Sequence, residues 1–141
     1  MADNYLERRM EDLKSGRLGV RNSVPGIKPG SRRVVAARGT SGEVRDKVIE
    51  FRRQGCRVAV FDSDEEAGKK MAYENGVRFH NLDLYDEEAL KKATYDLLST
   101  WRGVDIIMGN EDECSRIGRM VREWKESLPI PDKSETKFVI L

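Results

Sequence analysis

The sequence predicts an α/β fold: a three-layer, doubly wound parallel sheet of five strands in the order 3-2-1-4-5. Three observations predict it. Apolar runs of strand length recur from residue 32 to residue 141, separated by amphipathic stretches of helix length. That alternation of strand and helix indicates a parallel sheet covered on both faces. Crossovers between parallel strands are right-handed, and the doubly wound order follows from that constraint.

Each element has its own reason. "RRVVAA" (32–37) is a short apolar strand. Residues 42–53 place Val44, Val48 and Phe51 on one helical face. "GCRVAVFD" (55–62) is a second strand entered through Gly55. "EEAGKKMAYENG" (65–76) is a helix stopped by Asn75-Gly76, a C-cap pair. "VRFHNLD" (77–83) is a third strand. "DEEALKKATYDLLSTW" (86–101) turns Leu90, Leu97 and Trp101 inward and is acidic at its start, as the helix macrodipole favours. "VDIIMGN" (104–110) is a fourth strand. "ECSRIGRMVREWKES" (113–127) carries Ile117, Met120, Val121 and Trp124 on one stripe, and "TKFVIL" (136–141) is the fifth strand. The two tryptophans read as packing residues.

Before this regular region, residues 1–16 predict an amphipathic helix with Leu6, Met10 and Leu13 at i, i+4 and i+7, ended by Gly16. Residues 17–31 hold three glycines and two prolines and read as an extended linker. The α/β domain is then 32–141.

Composition narrows the function. The 26 Lys and Arg nearly cancel the 25 Asp and Glu, leaving a net charge of +1. That balance argues against nucleic acid or an anionic membrane as partner. No apolar run is long enough to span a bilayer, and no signal-peptide pattern opens the chain. Cys56 and Cys114 do not make a disulfide framework, and Cys56 reads as a small core residue. A reducing cytoplasm is the expected location. His80 is the single histidine and neither cysteine has a soft ligand nearby, so no metal is expected.

In a doubly wound sheet, ligands bind beyond the carboxyl ends of the strands where the strand order reverses. Arg38 to Glu43, Asp62, Asp83-Leu84 and Gly109-Asn110 fall there. At these residues the sequence resembles the short-chain dehydrogenase/reductase (SDR) family. The likeness runs from "RVVAARGTSGEVRDKVIEFRRQGCRVAVFDSDEEAG" through "NLDLYDEEAL" to "VDIIMGN". It covers the N-terminal, Rossmann-like half of that family.

The resemblance implies NAD as cofactor, bound weakly, with Gly39, Ser41, Gly42, Asp62, Asp83, Leu84 and Asn110 as contacts. Asp62 matches the acid that accepts the adenosine ribose hydroxyls and favours NAD over NADP. Asp83 matches the adenine-contacting aspartate and Leu84 the apolar residue beside it. Asn110 matches the second asparagine of the strand-four motif, with Gly109, Glu111 and Asp112 replacing its neighbours. The family's glycine turn is degenerate here. Its Thr-Gly-x-x-x-Gly-x-Gly pattern falls on residues 37–44, where Arg38 and Val44 replace the first and third glycines and Gly42 survives.

These departures have physical consequences. Arg38 stands where a positive φ is required, and the adjacent Gly39 is expected to take over the turn. The Arg38 side chain offers a partner for phosphate. Thr40-x-x-Glu43 reads as a capping box that would occupy the helix-start amides a pyrophosphate needs. A Glu43 carboxylate ~4 Å from a phosphate charge would oppose it by about 4 kcal/mol at an effective dielectric near 20, an upper figure.

The reaction of the SDR family requires a tyrosine followed four residues later by a lysine, which lowers the tyrosine pKa. Residues 9, 77, 89 and 99, four beyond Tyr5, Tyr73, Tyr85 and Tyr95, are Arg, Val, Ala and Ser. In the family the serine and tyrosine follow strand five, where these residues finish, so the catalytic half is expected to be absent. The expected function is a catalytically inactive, SDR-like binding or regulatory subunit, a homodimer or a partner of a full-length SDR. The alternative is an NAD(P)- or adenine-nucleotide-binding module of an oxidoreductase system. An active oxidoreductase would need completion by a partner. A phosphoreceiver domain needs an acidic pair after strand one, and "AARG" offers none.

Overall fold

The computed structural model describes residues 32–130 and 132–141. The expected N-terminal helix and linker lie outside the described residues. The described elements are β1 (Arg33–Ala37), α1 (Gly42–Arg53), β2 (Arg57–Asp62), α2 (Glu65–Asn75), β3 (Arg78–Asn81), α3 (Glu87–Trp101), β4 (Ile106–Gly109), α4 (Glu111–Glu126) and β5 (Lys137–Ile140). The sheet has five strands in the order β3-β2-β1-β4-β5. Each neighbouring pair is parallel. The doubly wound topology read from the sequence is therefore the observed one.

Strict alternation along β1 and β2 divides the core into two layers. Val35, Ala37, Ala59, Phe61 and Ile107 face one side and pack on Leu90, Leu97 and Leu98 of α3 and Ile117, Met120 and Val121 of α4. Val34, Ala36, Val58, Val60, Ile106 and Met108 face the other side and pack on Val48 of α1 and Met71 of α2. Burying each large aliphatic side chain is worth on the order of 2 kcal/mol. Trp101 is buried on α3, while Trp124 is only partly covered. Cys56 is a fully buried member of the second layer, as its apolar context suggested.

Side chains end the helices as their types require. Asp64 and Asp86 cap α2 and α3 by accepting from the Ala67 and Ala89 amides. Gly76 closes α2 in the left-handed region at φ 71, the role that Asn75-Gly76 predicted. At the amino end of the sheet, Arg33 grips Asp105 through Nε at 2.9 Å and Nη2 at 3.0 Å, and the Arg33 amide donates to the same carboxylate at 2.8 Å. Burial pushes the Asp105 carboxyl upward, but the Arg33 bonds outweigh it and hold it below its ordinary range. This clamp fixes β1 to the loop before β4. The carboxyl ends of the two strands therefore emerge in register, with Ala36 opposite Met108.

Candidate functional site

The carboxyl ends of β1 and β4 diverge to opposite helical layers, and a crevice of about 210 Å³ opens between them. It is lined by Ala37, Arg38, Ser41, Gly42, Glu43, Val44, Asn110, Glu113 and Leu141. Three of the seven residues expected at the site, Ser41, Gly42 and Asn110, meet on this lining. Gly39, Asp62, Asp83 and Leu84 stand outside it.

The turn from β1 to α1 differs from the expected one at two points. Arg38 itself takes the left-handed conformation, at φ 55. Gly39 does not relieve it. A Cβ at Gly39 would lie 3.0 Å from Val60 and 3.1 Å from Ala36, so that glycine serves close approach of the turn to β2. The cap differs as well. The N-cap of α1 is Ser41, not Thr40, and no side chain caps it. The expected Thr40-x-x-Glu43 capping box does not form. The Thr40 hydroxyl instead donates to Asp62 Oδ2 at 2.6 Å. Glu43 is exposed. The amides of the first turn are thus not taken by side chains, and the helix dipole leaves partial positive charge there. Gly42 opens the approach: its φ is 66, and a Cβ there would have no heavy atom within 4 Å.

The capping box exists one crossover later. Asn110 Oδ1 accepts from the Glu113 amide at 2.8 Å, and Glu113 Oε1 accepts from the Asn110 amide at 2.9 Å. Asn110 is therefore engaged at the start of α4. Its partner Glu113, 6% exposed, also receives the Arg38 guanidinium at 2.6 Å. The Arg38–Glu113 pair crosses the crevice and joins the two helix starts. Asn110-x-x-Glu113 is legible as a capping pattern, yet the sequence reading passed over Glu113.

Asp62 ends β2 at 8% exposure. Besides the Thr40 hydroxyl, its Oδ2 accepts from the Thr40 amide at 3.3 Å, and its Oδ1 accepts from Ser63 at 2.7 Å and Asp64 at 3.3 Å. Asp83 is exposed and folds its own turn, accepting from the Tyr85 amide at 2.9 Å, with Leu84 buried beside it. Among the described residues no group of three or more His, Cys, Asp or Glu is placed to hold a metal ion. No helix among them is long and apolar enough to cross a membrane.

A parallel sheet with a glycine turn feeding a helix at its switch point defines the Rossmann-like class of fold. Comparison with solved structures sharpens this. A citronellol catabolism dehydrogenase from Pseudomonas aeruginosa PAO1 matches 79% of the chain with a TM-score of 0.66 at 18% identity. NAD+-bound xylitol dehydrogenase matches 69% with a TM-score of 0.59 at 13% identity. A short chain dehydrogenase from Bacillus anthracis matches 60% with a TM-score of 0.56 at 17% identity. The chain spans 57%, 49% and 36% of these three proteins, respectively. No family model matches the chain. At these identities the likeness establishes the fold: a Rossmann-like half of the kind found in short-chain dehydrogenases.

Proposed function

We propose that this chain is a nucleotide-binding Rossmann-like module without redox chemistry of its own, taking the pyrophosphate of a dinucleotide such as NAD at the start of α1. One observation carries the reading. The N-terminus of α1 lacks a side-chain cap and faces, across Gly42, a crevice at the switch point of the sheet. Backbone amides and the helix dipole at such a terminus favour phosphate. Arg38 adds a cation that can exchange Glu113 for a phosphate oxygen. The NAD+ bound to the similarly folded xylitol dehydrogenase supports the choice of ligand class. The crevice is smaller than the ~300–1,000 Å³ of typical ligand pockets, which favours weak binding through the phosphates.

The lining holds no tyrosine, lysine, histidine or cysteine, and so none of the Tyr-Lys pair that hydride chemistry of this kind uses. Titration of the 15N-labelled chain with NAD+, ADP-ribose and pyrophosphate tests the binding. Amide shifts concentrated at Ser41 to Val44 are expected. An unchanged spectrum at millimolar ligand would refute the reading, and hydride transfer by the purified chain would refute its non-catalytic half.

A second reading, association with a second copy of the chain, is favoured by β5. Among the described residues its outer edge has no strand partner, and Phe138 and Ile140 are 51% and 53% exposed. Open apolar edges of this kind pair with other chains.

A further inference from the structure

We propose that Thr40 is a specificity-determining residue: it closes Asp62 to a ribose diol, so the crevice holds a nucleotide by its phosphates and is indifferent to its ribose hydroxyls. This rests on the nucleotide-binding reading above and names what that site discriminates.

An ionised carboxylate has about four lone-pair directions. Asp62 has all four engaged: the Thr40 hydroxyl and amide on Oδ2, the Ser63 and Asp64 amides on Oδ1. A vicinal diol recognised by one carboxylate needs an acceptor for each hydroxyl. Here each would have to displace a bond that the fold already makes. The strongest competitor is the Thr40 hydroxyl, at 2.6 Å to a carboxylate that is almost fully covered. Hydrogen bonds to a charged acceptor at such a site are the costly ones to exchange.

The crevice supports the same conclusion independently. Its lining runs from Ala37 to Val44 and across to Asn110, Glu113 and Leu141, and includes neither Thr40 nor Asp62. Asp62 is thus not among the groups this crevice presents. The crevice is faced by the α1 terminus and the Arg38 guanidinium, which address phosphate, and by the carboxylates of Glu43 and of Glu113, the latter paired with Arg38.

The test compares ADP with 2′,3′-dideoxy-ADP by calorimetry or amide shifts, on the wild-type chain and on Thr40→Val and Thr40→Ser. Valine keeps the shape and removes the hydroxyl, and serine restores it. The wild type is expected to bind the two nucleotides within twofold of one another. Thr40→Val is expected to gain about tenfold for ADP and nothing for the dideoxy form, the worth of one charge-assisted hydrogen bond. Thr40→Ser is expected to match the wild type. A wild type that already prefers ADP by tenfold overturns the proposal, as does a folded Thr40→Val with an unchanged ratio. Should Thr40→Val not fold, the wild-type ratio decides alone. A wild type that binds neither nucleotide, beside a Thr40→Val that binds ADP selectively, refutes the nucleotide reading and upholds the latch. Failure of both proteins to bind either nucleotide refutes both.

Discussion

Arg38 shows how a single residue can oppose its own backbone and still be retained by its side chain. At φ 55 an L-residue carries a penalty of roughly 1–2 kcal/mol that glycine escapes. Its side chain returns part of that by neutralising the buried Glu113 carboxylate at 2.6 Å. Two substitutions separate the contributions. Arg38→Ala and Arg38→Gly both abandon Glu113, but only alanine keeps a Cβ in the left-handed region. Arg38→Gly is therefore expected to be about 1 kcal/mol more stable than Arg38→Ala in urea unfolding. Equal midpoints would show that the turn relaxes. Cys114 gives a second residue-level outcome. Burial first, then the Glu113 charge, pushes its thiol up to about 11. Iodoacetamide at pH 8 should leave Cys114 unmodified in the folded chain and label it once urea unfolds it. At this scale the sequence was least informative. It placed Gly42 at the turn but could not show that Thr40 would reach Asp62, 22 residues away, instead of its own helix. Both contacts satisfy the same local pattern, and only the packing of β1 against β2 chooses between them.

Between elements, the contact of α2 with β3 depends on Gly68. A Cβ there would lie 2.1 Å from the Phe79 ring. Alanine would gain about 1 kcal/mol of helix propensity over glycine, but overpacking typically costs ~1–3 kcal/mol. Gly68→Ala is expected to lose about 1–2 kcal/mol in urea unfolding, and Phe79→Leu in the same chain to restore part of it. Absence of any loss would mean that the Phe79 ring moves aside freely. The same strand carries His80. Its Nε2 is buried without a hydrogen-bond partner among the described residues, and its ring meets Phe61 edge-on at 5.1 Å. Burial, and secondarily the Arg78 charge, lower its pKa below 6.5, with Asp96 opposing. The sign follows from proton counting. Below pH 6.5 the unfolded chain protonates His80 before the folded one does. Stability is therefore full above that pH and is lost as pH falls through the depressed folded value. His80→Phe should lack this loss as pH falls below 6.5 when urea midpoints are compared, and parallel curves would refute the assignment. Element boundaries were legible because the apolar runs and helix stripes are periodic. The caps at Asp64, Asp86 and Gly76 follow from local chemistry alone.

For the whole molecule, the five-strand order was readable because right-handed crossovers leave few ways to bury strands that are apolar on both faces. The sequence cannot show how far each edge is covered, because coverage depends on what lies beside it. The two edges of the sheet differ in this respect. β3 pairs with β2 and alternates exposed ends with half-buried Phe79 and His80. β5 presents Phe138 and Ile140 on the α4 side, bordering a groove of about 450 Å³ with Cys114, Gly118 and Arg122. Its Lys137 and Leu141 amides donate inward, to Asp105 and Gly109 of the β4 segment. By the alternation of a parallel ladder, the amides of Phe138 and Ile140 point outward. If a second copy pairs with this edge, those two amides are the ones it must bind. Hydrogen exchange at low-micromolar and at near-millimolar concentration therefore tests association at residue resolution. Protection of Phe138 and Ile140 is expected to rise with concentration while that of Val34 to Ala37 in β1 stays constant. Light scattering should show the mass approaching twice the 16.1 kDa of one chain. Phe138→Lys, which places a charge on the edge, should abolish both effects without lowering the urea midpoint, since this side chain is half exposed. Concentration-independent exchange with a monomeric mass would remove the self-association reading and leave β5 as an edge held from one side by β4.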